Sequence, residues 1–260
     1  MWSKELEIAM KAAVEAGREI MKVYESDFSN TVEYKTDNSP LTRADKASND
    51  VIVSVLRGAF PTYAILSEEE KDDKERLNNP FCFIVDPLDG TKEFIKRNGQ
   101  FTVNIALAYK NRPVMGVIYV PATGDLFYAS QNEGAYLAKP SGEKEKLHVS
   151  DNIDRRRLRA VVSSSHSCEE MERMIEEYQI KDLLRIGSSL KGCLVAKGDV
   201  DIYFRHNPTM EWDTAAMQCI VEEAGGIFRQ MDDSEMTYNR ENSLNGKGFY
   251  AINRIKNRLY

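Results

Sequence analysis

Residues 81–91 read Phe-Cys-Phe-Ile-Val-Asp-Pro-Leu-Asp-Gly-Thr, an apolar run that ends in two acids and a glycine. The run from 81 to 85 predicts a buried strand, and we expect Pro87 to stop that strand because proline has no amide hydrogen to donate. Asp86 and Asp89 then lie three residues apart on a turn, where both carboxylates can point at one centre. In a continuing strand, the same spacing would place them on opposite faces of the sheet.

The end of this stretch predicts a place for a phosphate group beside the two carboxylates. Gly90 permits a tight backbone, and Thr91-Lys92-Glu93-Phe94 predicts a short helix whose free amides favour an anion. Carboxylate oxygens are hard ligands that suit magnesium. Asp-Pro-Leu-Asp-Gly is also an ordinary turn sequence, and this simpler interpretation stays open for the stretch taken alone. An aspartyl-phosphate phosphatase needs acids spaced Asp-x-Asp, so the Asp-x-x-Asp spacing argues against a covalent aspartyl mechanism.

Three more acidic residues occur where a predicted strand ends or a predicted helix begins. Glu68 follows the apolar strand pattern Tyr63–Leu66. Asp45 lies in the first turn of a helix that Thr42 is expected to cap, and Asp213 lies at the start of an apolar helix. Each also has a simpler interpretation, as a solvated loop residue for Glu68 and as a helix cap for the two aspartates. A catalytic role is compatible with a cap.

The chain as a whole alternates helix and strand patterns, which predicts an α+β fold of layered sheets covered by helices. An apolar stripe with helical spacing runs through Ser3–Tyr24, and short strand patterns dominate residues 101–138. The polar stretch Lys139–Lys146 is the clearest break, after which helix and strand patterns interleave. We therefore expect an N-terminal α+β domain at 1–146 and a C-terminal α/β domain at 147–260.

Composition and charge exclude several classes of protein. The 260 residues carry 35 Lys and Arg against 41 Asp and Glu, a net charge of −6, whereas nucleic-acid binders usually carry a basic excess. No apolar run approaches the roughly 20 residues that span a bilayer, and the first residues contain no signal-peptide core. We therefore expect a cytoplasmic protein, at most loosely associated with the inner face of a membrane.

The scattered cysteines lack zinc-ligand spacing and predict buried thiols: Cys82, Cys168, Cys193 and Cys219.

The order of these motifs resembles the inositol monophosphatase superfamily over nearly the whole chain. The pattern consists of the acidic pair Glu68–Glu69, Asp-Pro-Leu-Asp-Gly-Thr at 86–91 and Trp-Asp-Thr-Ala at 212–215. The chain looks closest to the CysQ-type 3'(2'),5'-bisphosphate nucleotidase branch of that superfamily. Four further segments carry this second resemblance: Ser39–Asp45, Lys92–Ile95, Ser163–His166 and Gly187–Lys191.

The resemblance implies a layered α-β-α-β-α sandwich of the inositol monophosphatase and fructose-1,6-bisphosphatase type. It also implies that two magnesium ions bind in the active site. Most of their ligands would come from the N-terminal domain and one from the C-terminal domain: Glu68, Asp86, the carbonyl group of Leu88, Asp89 and Asp213. Asp86 would bridge the two ions, and a third, weaker ion would lie near Glu68 and Glu69.

The same resemblance implies hydrolysis of a phosphomonoester by a metal-activated water. Asp45 and Thr91 would form a hydrogen-bonded couple that takes the proton from this water, because a threonine hydroxyl alone is a poor base. Glu68 belongs with them among the implied catalytic residues.

The other side of the pocket would recognise the rest of the substrate. The implied substrate-binding residues are Gly90, Thr91, His166, Ser188, Lys191 and Arg205. Lys191 and Arg205 would supply positive charge for a remaining phosphate. Simpler interpretations also exist: a solvated helix residue for Lys191, the end of a surface strand for Arg205, and a cap for His166.

The favoured reaction converts adenosine 3',5'-bisphosphate and water into AMP and phosphate. That substrate is a by-product of sulfate activation and of carrier-protein loading, which implies a role in sulfur metabolism. Inhibition by lithium is expected for the family.

An inositol monophosphatase or sugar-phosphate phosphatase is the alternative function on the same scaffold. A non-catalytic metal- or nucleotide-binding regulator is the rival of another class. No nucleic-acid partner and no stable membrane insertion are expected, and the protein would be a monomer or a homodimer.

Overall fold

The computed structural model describes residues 1–25, 32–34, 40–72, 74–164 and 169–259, with the backbone alone at 32–34 and 40–42. The helices are α1 (Ser3–Glu25), α2 (Arg43–Ala59), α3 (Thr91–Ile95), α4 (Glu169–Glu177), α5 (Leu190–Lys197) and α6 (Glu211–Glu223). The first strands are β1 (Val32–Tyr34), β2 (Pro40–Thr42), β3 (Ala64–Ser67), β4 (Phe81–Asp89), β5 (Thr102–Tyr109), β6 (Arg112–Val120), β7 (Asp125–Ser130), β8 (Gly134–Ala138) and β9 (Lys144–Lys146). The remaining strands are β10 (Arg159–Ser163), β11 (Asp182–Ile186), β12 (Ile202–Arg205), β13 (Thr209–Met210), β14 (Ile227–Gln230), β15 (Leu244–Asn245) and β16 (Phe249–Ile252).

The first sheet carries α1 and α2 on its outer face. Its strands run in the order β3-β4-β5-β6-β7-β8-β9, parallel between β3 and β4 and antiparallel elsewhere. The buried stripe of α1 consists largely of alanine with Gly17, so this helix lies close to the strands. A side-chain carbon at Gly17 would lie only 2.3 Å from the ring of Tyr119 on β6. A larger residue at position 17 would therefore force the Tyr119 ring to move.

The helices α5 and α6 form the layer between the two sheets. Successive side chains along β4 point to opposite faces of the first sheet. Phe83 and Val85 belong to the core that contains α1 and α2, whereas Cys82 and Ile84 belong to the core that contains α5 and α6. Most of α6 is buried, as expected for a helix enclosed on both sides.

The second sheet completes the sandwich with α4 on its far face. Its strands run in the order β11-β10-β12-β16-β14, with β10 parallel to β11 and β12, and β16 antiparallel to β12 and β14. Val161 and Tyr203 face the middle layer. Val162 and Phe204 face the opposite way and share a core with Met171 of α4. The predicted α+β fold with α-β-α-β-α layers is therefore confirmed.

The prediction that Pro87 stops the strand was wrong. β4 continues to Asp89, with Asp86 opposite Asn104 and Asp89 opposite Thr102, so β4 contains one residue more than β5 between these two pairs. Such a bulge tolerates proline because the ladder locally needs no amide hydrogen there. The extra residue also breaks the alternation of side chains, and this is why both aspartates reach one face.

The polar stretch 139–146 does more than connect two regions, because its end forms β9 at the edge of the first sheet. The division into domains at residue 146 stays a prediction. The middle-layer helix α6 comes from the C-terminal part of the chain and packs on β5 and β6 of the first sheet.

Several sequence predictions concern local positions. Cys82, Cys193 and Cys219 are buried as expected, and burial raises the pKa of Cys82 to about 12. His166, Cys168 and the side chain of Thr42 lie outside the described residues. No described helix has the length and apolar character needed to cross a membrane.

Candidate active site

Three carboxylates from two parts of the chain meet in one cluster. Asp86 and Asp89 come from the bulge of β4, and Asp213 comes from the first turn of α6. One carboxylate oxygen from each lies within 4.8 Å of the others. Together with Glu68, which follows β3, they line a pocket of about 340 Å³. The sequence prediction that these acids converge is therefore met in the structure.

Backbone and side-chain hydrogen bonds hold the acidic segments in place. The amide of Glu68 donates to the carbonyl oxygen of Val85 at 3.2 Å, which ties the end of β3 to β4. The amide of Leu88 donates to Asp86 Oδ1 at 3.1 Å. The amide of Met210 donates to Asp213 Oδ2 at 2.6 Å. Asp213 thus caps α6, as its simpler interpretation predicted, and it also lines the pocket. Its role as a metal ligand stays a prediction.

The cluster is electrostatically unfavourable without a cation. Burial, followed by the nearby charges of Asp89 and Glu68, raises the pKa of Asp213 to about 7. Burial also raises the pKa of Asp86, followed by the charges of Glu68, Asp89, Asp213 and Asp45. A divalent cation relieves this repulsion, and carboxylate oxygens are the hard ligands that Mg²⁺ accepts. The residues present therefore fit a magnesium site.

Metal affinity should consequently depend on pH. Asp213 is protonated below about pH 7 and must lose its proton to bind a cation. We expect the affinity for Mg²⁺ to fall about tenfold between pH 8 and pH 6, since each displaced proton costs tenfold per pH unit below the pKa. Titration calorimetry in two buffers with different protonation enthalpies measures both the affinity and the number of protons released. Equal affinity at both pH values, without a buffer-dependent heat, would contradict the raised pKa.

The first turn of α2 faces the bulge from the other side. Asp45 is 3% exposed, and its charge contributes to the raised pKa of Asp86. Ser48, one turn later, donates from Oγ to the carbonyl oxygen of Pro87 at 2.7 Å. The hydroxyl of Thr91 donates to the carbonyl oxygen of Leu88 at 3.5 Å. Asp45 and Thr91 therefore lie on two elements that flank the acidic cluster, and their direct coupling stays a prediction.

Basic residues line the same pocket beside the acids. Lys191 is 5% exposed and burial lowers its pKa to about 8. Its Nζ donates to the carbonyl oxygen of Ser188 at 2.5 Å and lies 5.4 Å from the ring centroid of Tyr203. Arg205 lines the pocket with a buried Nε that has no hydrogen-bond partner among the described residues. The solvated interpretation of Lys191 was wrong, because β12 and the strained turn at Ser188 enclose it.

The turn at Gly90 has the backbone that its sequence predicts. Gly90 has φ of 94°, in the left-handed region that glycine adopts without strain. Gly90, Thr91 and Ser188 all line the pocket. Ser188 itself has a positive φ of 49°, which a residue with a side chain adopts at some cost. The start of α3 and the turn before α5 thus lie side by side.

Two residues in contact with the cluster were missed at the sequence level. Ser189 donates from Oγ to Asp89 Oδ2 at 2.7 Å, and Asn104 on β5 donates from Nδ2 to Ser189 Oγ at 2.9 Å. A signal for Asn104 existed, because it is the single polar side chain between Val103 and Ala108. Nothing in the local sequence distinguishes Ser189 from Ser188.

Comparison with known proteins agrees with this geometry. The sequence model of the inositol monophosphatase family matches residues 1–256. The chain is 40% identical to the 3'(2'),5'-bisphosphate nucleotidase CysQ of Salmonella typhimurium, over 94% of this chain and 98% of that protein. It is 38% identical to the protein of the same name from Buchnera aphidicola, over 96% of this chain and 94% of that protein.

Solved structures show the same relationship. The crystal structure of CysQ from Bacteroides thetaiotaomicron superposes with a TM-score of 0.85 at 40% identity, covering 96% of this chain and 98% of that one. Inositol monophosphatase from Anabaena superposes with a TM-score of 0.78 at 26% identity, covering 99% of this chain and 94% of that one. Fold, acidic cluster and sequence agree along the chain, which belongs to the inositol monophosphatase family.

Proposed function

We propose that this protein is a magnesium-dependent 3'(2'),5'-bisphosphate nucleotidase that hydrolyses adenosine 3',5'-bisphosphate to AMP and phosphate. The observation that carries this proposal is one pocket with carboxylates on one side and two basic residues on the other. The acids Asp86, Asp89 and Asp213 suit cations that hold the reacting phosphate. Lys191 and Arg205 suit a second, non-reacting phosphate. The relatives that are 38–40% identical carry the same activity in their names.

The acidic side of the pocket would hold two magnesium ions. Glu68, Asp86 and the carbonyl group of Leu88 would bind one ion, and Asp86, Asp89 and Asp213 would bind the other. Such ions activate a water and neutralise the charge that develops on the phosphoryl group. A third ion near Glu68 and Glu69 belongs to the same proposal.

The chain's own residues would move the proton and hold the phosphate. Asp45 would accept, through the Thr91 hydroxyl, the proton of the attacking water, since a carboxylate is the stronger base of the two. Gly90 and Thr91, at the start of α3, would donate backbone hydrogen bonds to the phosphate oxygens. Ser188 and His166 would contact the sugar and phosphate of the leaving group.

The apolar wall of the pocket favours a nucleotide over a polyol phosphate. Five of the residues that line the pocket are aromatic or apolar: Tyr203, Met210, Trp212, Met217 and Phe249. An inositol ring presents hydroxyl groups on its whole rim and gains little from such a surface, whereas a nucleobase has an apolar face. The pocket volume of about 340 Å³ falls in the usual range for small-molecule sites.

Lithium inhibition, a role in sulfur metabolism and action in the cytoplasm belong to the same proposal. Lithium would compete with one magnesium ion for the carboxylates. The substrate arises during sulfate activation, which places its removal in the same compartment. The protein would act as a monomer or homodimer, and its acidic ligands would come mainly from the domain at 1–146.

A substrate panel tests the proposal. Phosphate release is measured from adenosine 3',5'-bisphosphate, inositol 1-phosphate and fructose 1,6-bisphosphate, with and without magnesium. We expect magnesium-dependent release, with kcat/KM at least about a hundredfold higher for the nucleotide than for the other two substrates. One or two charge-assisted hydrogen bonds to its second phosphate would account for a difference of this size. A preference for inositol 1-phosphate would keep the site but overturn the substrate. No release from any substrate, with tight nucleotide binding, would favour a non-catalytic regulator.

A further inference from the structure

A chain of buried hydrogen bonds fixes the carboxylate of Asp89 from behind. Ser189 donates from Oγ to Asp89 Oδ2 at 2.7 Å. Asn104 donates from Nδ2 to Ser189 Oγ at 2.9 Å and to Asp89 Oδ2 at 3.4 Å. Thr102 donates from Oγ1 to Asn104 Oδ1 at 3.0 Å. Each polar group therefore orients the next, and the chain ends at the acidic cluster.

These three supporting residues are almost fully enclosed. Thr102 is 0% exposed, and Asn104 and Ser189 are each 1% exposed. Burying an amide and two hydroxyl groups is unfavourable unless every group finds a partner. Here the partner at the end of the chain is a carboxylate that faces the pocket. The same face of β5 buries apolar residues further along the strand, at Ala106 and Ala108, so a polar chain here is a specific choice of side chains.

Ser189 also links the two segments that supply the cluster. Its Oγ lies 3.3 Å from the backbone carbonyl oxygen of Asp213, in addition to its bond with Asp89. Asp89 belongs to the first sheet and Asp213 to the middle-layer helix α6. One hydroxyl at the start of α5 thus lies against both acids whose oxygens must converge on a cation.

We propose that Ser189 and Asn104 are positioning residues that set the affinity of the acidic cluster for its divalent cation. They hold the Asp89 carboxylate in one orientation against the repulsion of its acidic neighbours, so the site does not have to be ordered when the cation arrives. Residues that support metal ligands in this way typically change affinity or activity by about 10- to 100-fold when they are replaced. The inference rests on the magnesium site of the proposed function.

Direct metal binding tests this role with matched variants. Ser189→Ala removes one buried oxygen, and Asn104→Ala removes the amide behind it. Ser130→Ala is the control, because Ser130 is equally buried at 1% exposed and its Oγ has no hydrogen-bond partner among the described residues. Titration calorimetry with MgCl₂ on the metal-free proteins gives the dissociation constants, and thermal unfolding in EDTA reports the fold separately.

We expect the Mg²⁺ dissociation constant to rise about tenfold or more in Ser189→Ala and in Asn104→Ala, and to stay within about twofold of the parent in Ser130→Ala. The dissociation constant of the double variant should rise by less than the product of the two single increases, because both residues act through one chain of hydrogen bonds. The Mg²⁺ concentration for half-maximal activity should rise in parallel, while kcat at saturating Mg²⁺ changes little.

Two results would overturn the inference. One is a Mg²⁺ dissociation constant within twofold of the parent in both variants. The other is a lower unfolding temperature in EDTA with unchanged Mg²⁺ affinity, which would assign the two residues a purely structural role. A parent protein that binds no Mg²⁺ would instead refute the proposed magnesium site itself, so the two failures are distinguishable.

Discussion

Asp89→Asn is expected to slow phosphate release strongly and at the same time to stabilise the metal-free protein. Asparagine keeps the shape of the side chain and an oxygen that can accept the Ser189 hydrogen bond. It removes the negative charge that a cation needs. The loss in kcat/KM should reach about a hundred- to a thousandfold, as for removal of one essential electrostatic group.

The gain in stability follows from the crowding of carboxylates. The charge of Asp89 is the second cause, after burial, of the raised pKa of Asp213. Because this pKa is raised on folding, the metal-free protein loses stability as the pH rises from about 4 toward 7. Removing the neighbouring charge should raise the free energy of unfolding near neutral pH by about 1 kcal/mol, the order of the repulsion between two like charges about 4 Å apart in water.

Thermal unfolding in EDTA and in MgCl₂ checks both effects. The variant should unfold at a higher temperature than the parent in EDTA and should lose the stabilisation that MgCl₂ gives the parent. Asp50→Asn, the same change at an exposed position of α2, is the control and should alter neither value. An Asp89→Asn protein that is less stable in EDTA would show that the carboxylate serves the fold rather than a cation.

Lys191→Met and Arg205→Met are expected to remove the preference for a substrate with two phosphates. Both side chains line the pocket, Lys191 is buried with a lowered pKa of about 8, and the Nε of Arg205 lacks a partner within the described part of the chain. A second phosphate would satisfy both groups. The loss for adenosine 3',5'-bisphosphate should be about 10- to 100-fold in kcat/KM for each variant, since a hydrogen bond to a charged group contributes about 1.5–3 kcal/mol.

The comparison substrate for this experiment is a nucleotide with a single phosphate. In both variants, kcat/KM for this nucleotide should fall much less than kcat/KM for adenosine 3',5'-bisphosphate. The ratio of the second value to the first should therefore drop at least about tenfold. Lys197→Met, in the same helix but paired with Asp199 at the surface, is the control. Equal losses for both substrates would mean that Lys191 and Arg205 support the acidic cluster and do not select the second phosphate.

Local patterns in the sequence predicted the α+β fold and the pair Asp86 and Asp89, whereas the layered sandwich and the wider set of acids came from the family resemblance. Apolar periodicity marks α1 and the strands, and Phe81 to Thr91 combines an apolar run, two acids and a glycine, which has φ of 94° in the structure. The reason for convergence was nonetheless misread. A register shift in β4, rather than a strand stopped at Pro87, turns the two aspartates to one face. Bulges depend on pairing with a distant strand, which local sequence does not encode.

The contacts of Ser189 and Asn104 with Asp89 could not be predicted from the sequence for the same reason. Ser189 meets Asp89 across a sequence separation of 100 residues, and Asn104 meets Ser189 across 85. Only the tertiary fold, which brings the start of α5 to Asn104 of β5 and Asp89 of β4, places them together. The burial of Lys191 similarly follows from β12 and the middle layer, whereas its position near the start of a short helix suggested exposure.

The products formed from adenosine 3',5'-bisphosphate test the central claim most directly. Phosphorus NMR of the reaction in MgCl₂ and in EDTA identifies which phosphate leaves. We predict inorganic phosphate and adenosine 5'-monophosphate in equal amounts, formed only with magnesium, because the acids would act on the 3'-phosphate while Lys191 and Arg205 hold the other. Formation of adenosine 3'-monophosphate, or equal release in EDTA, would contradict the account.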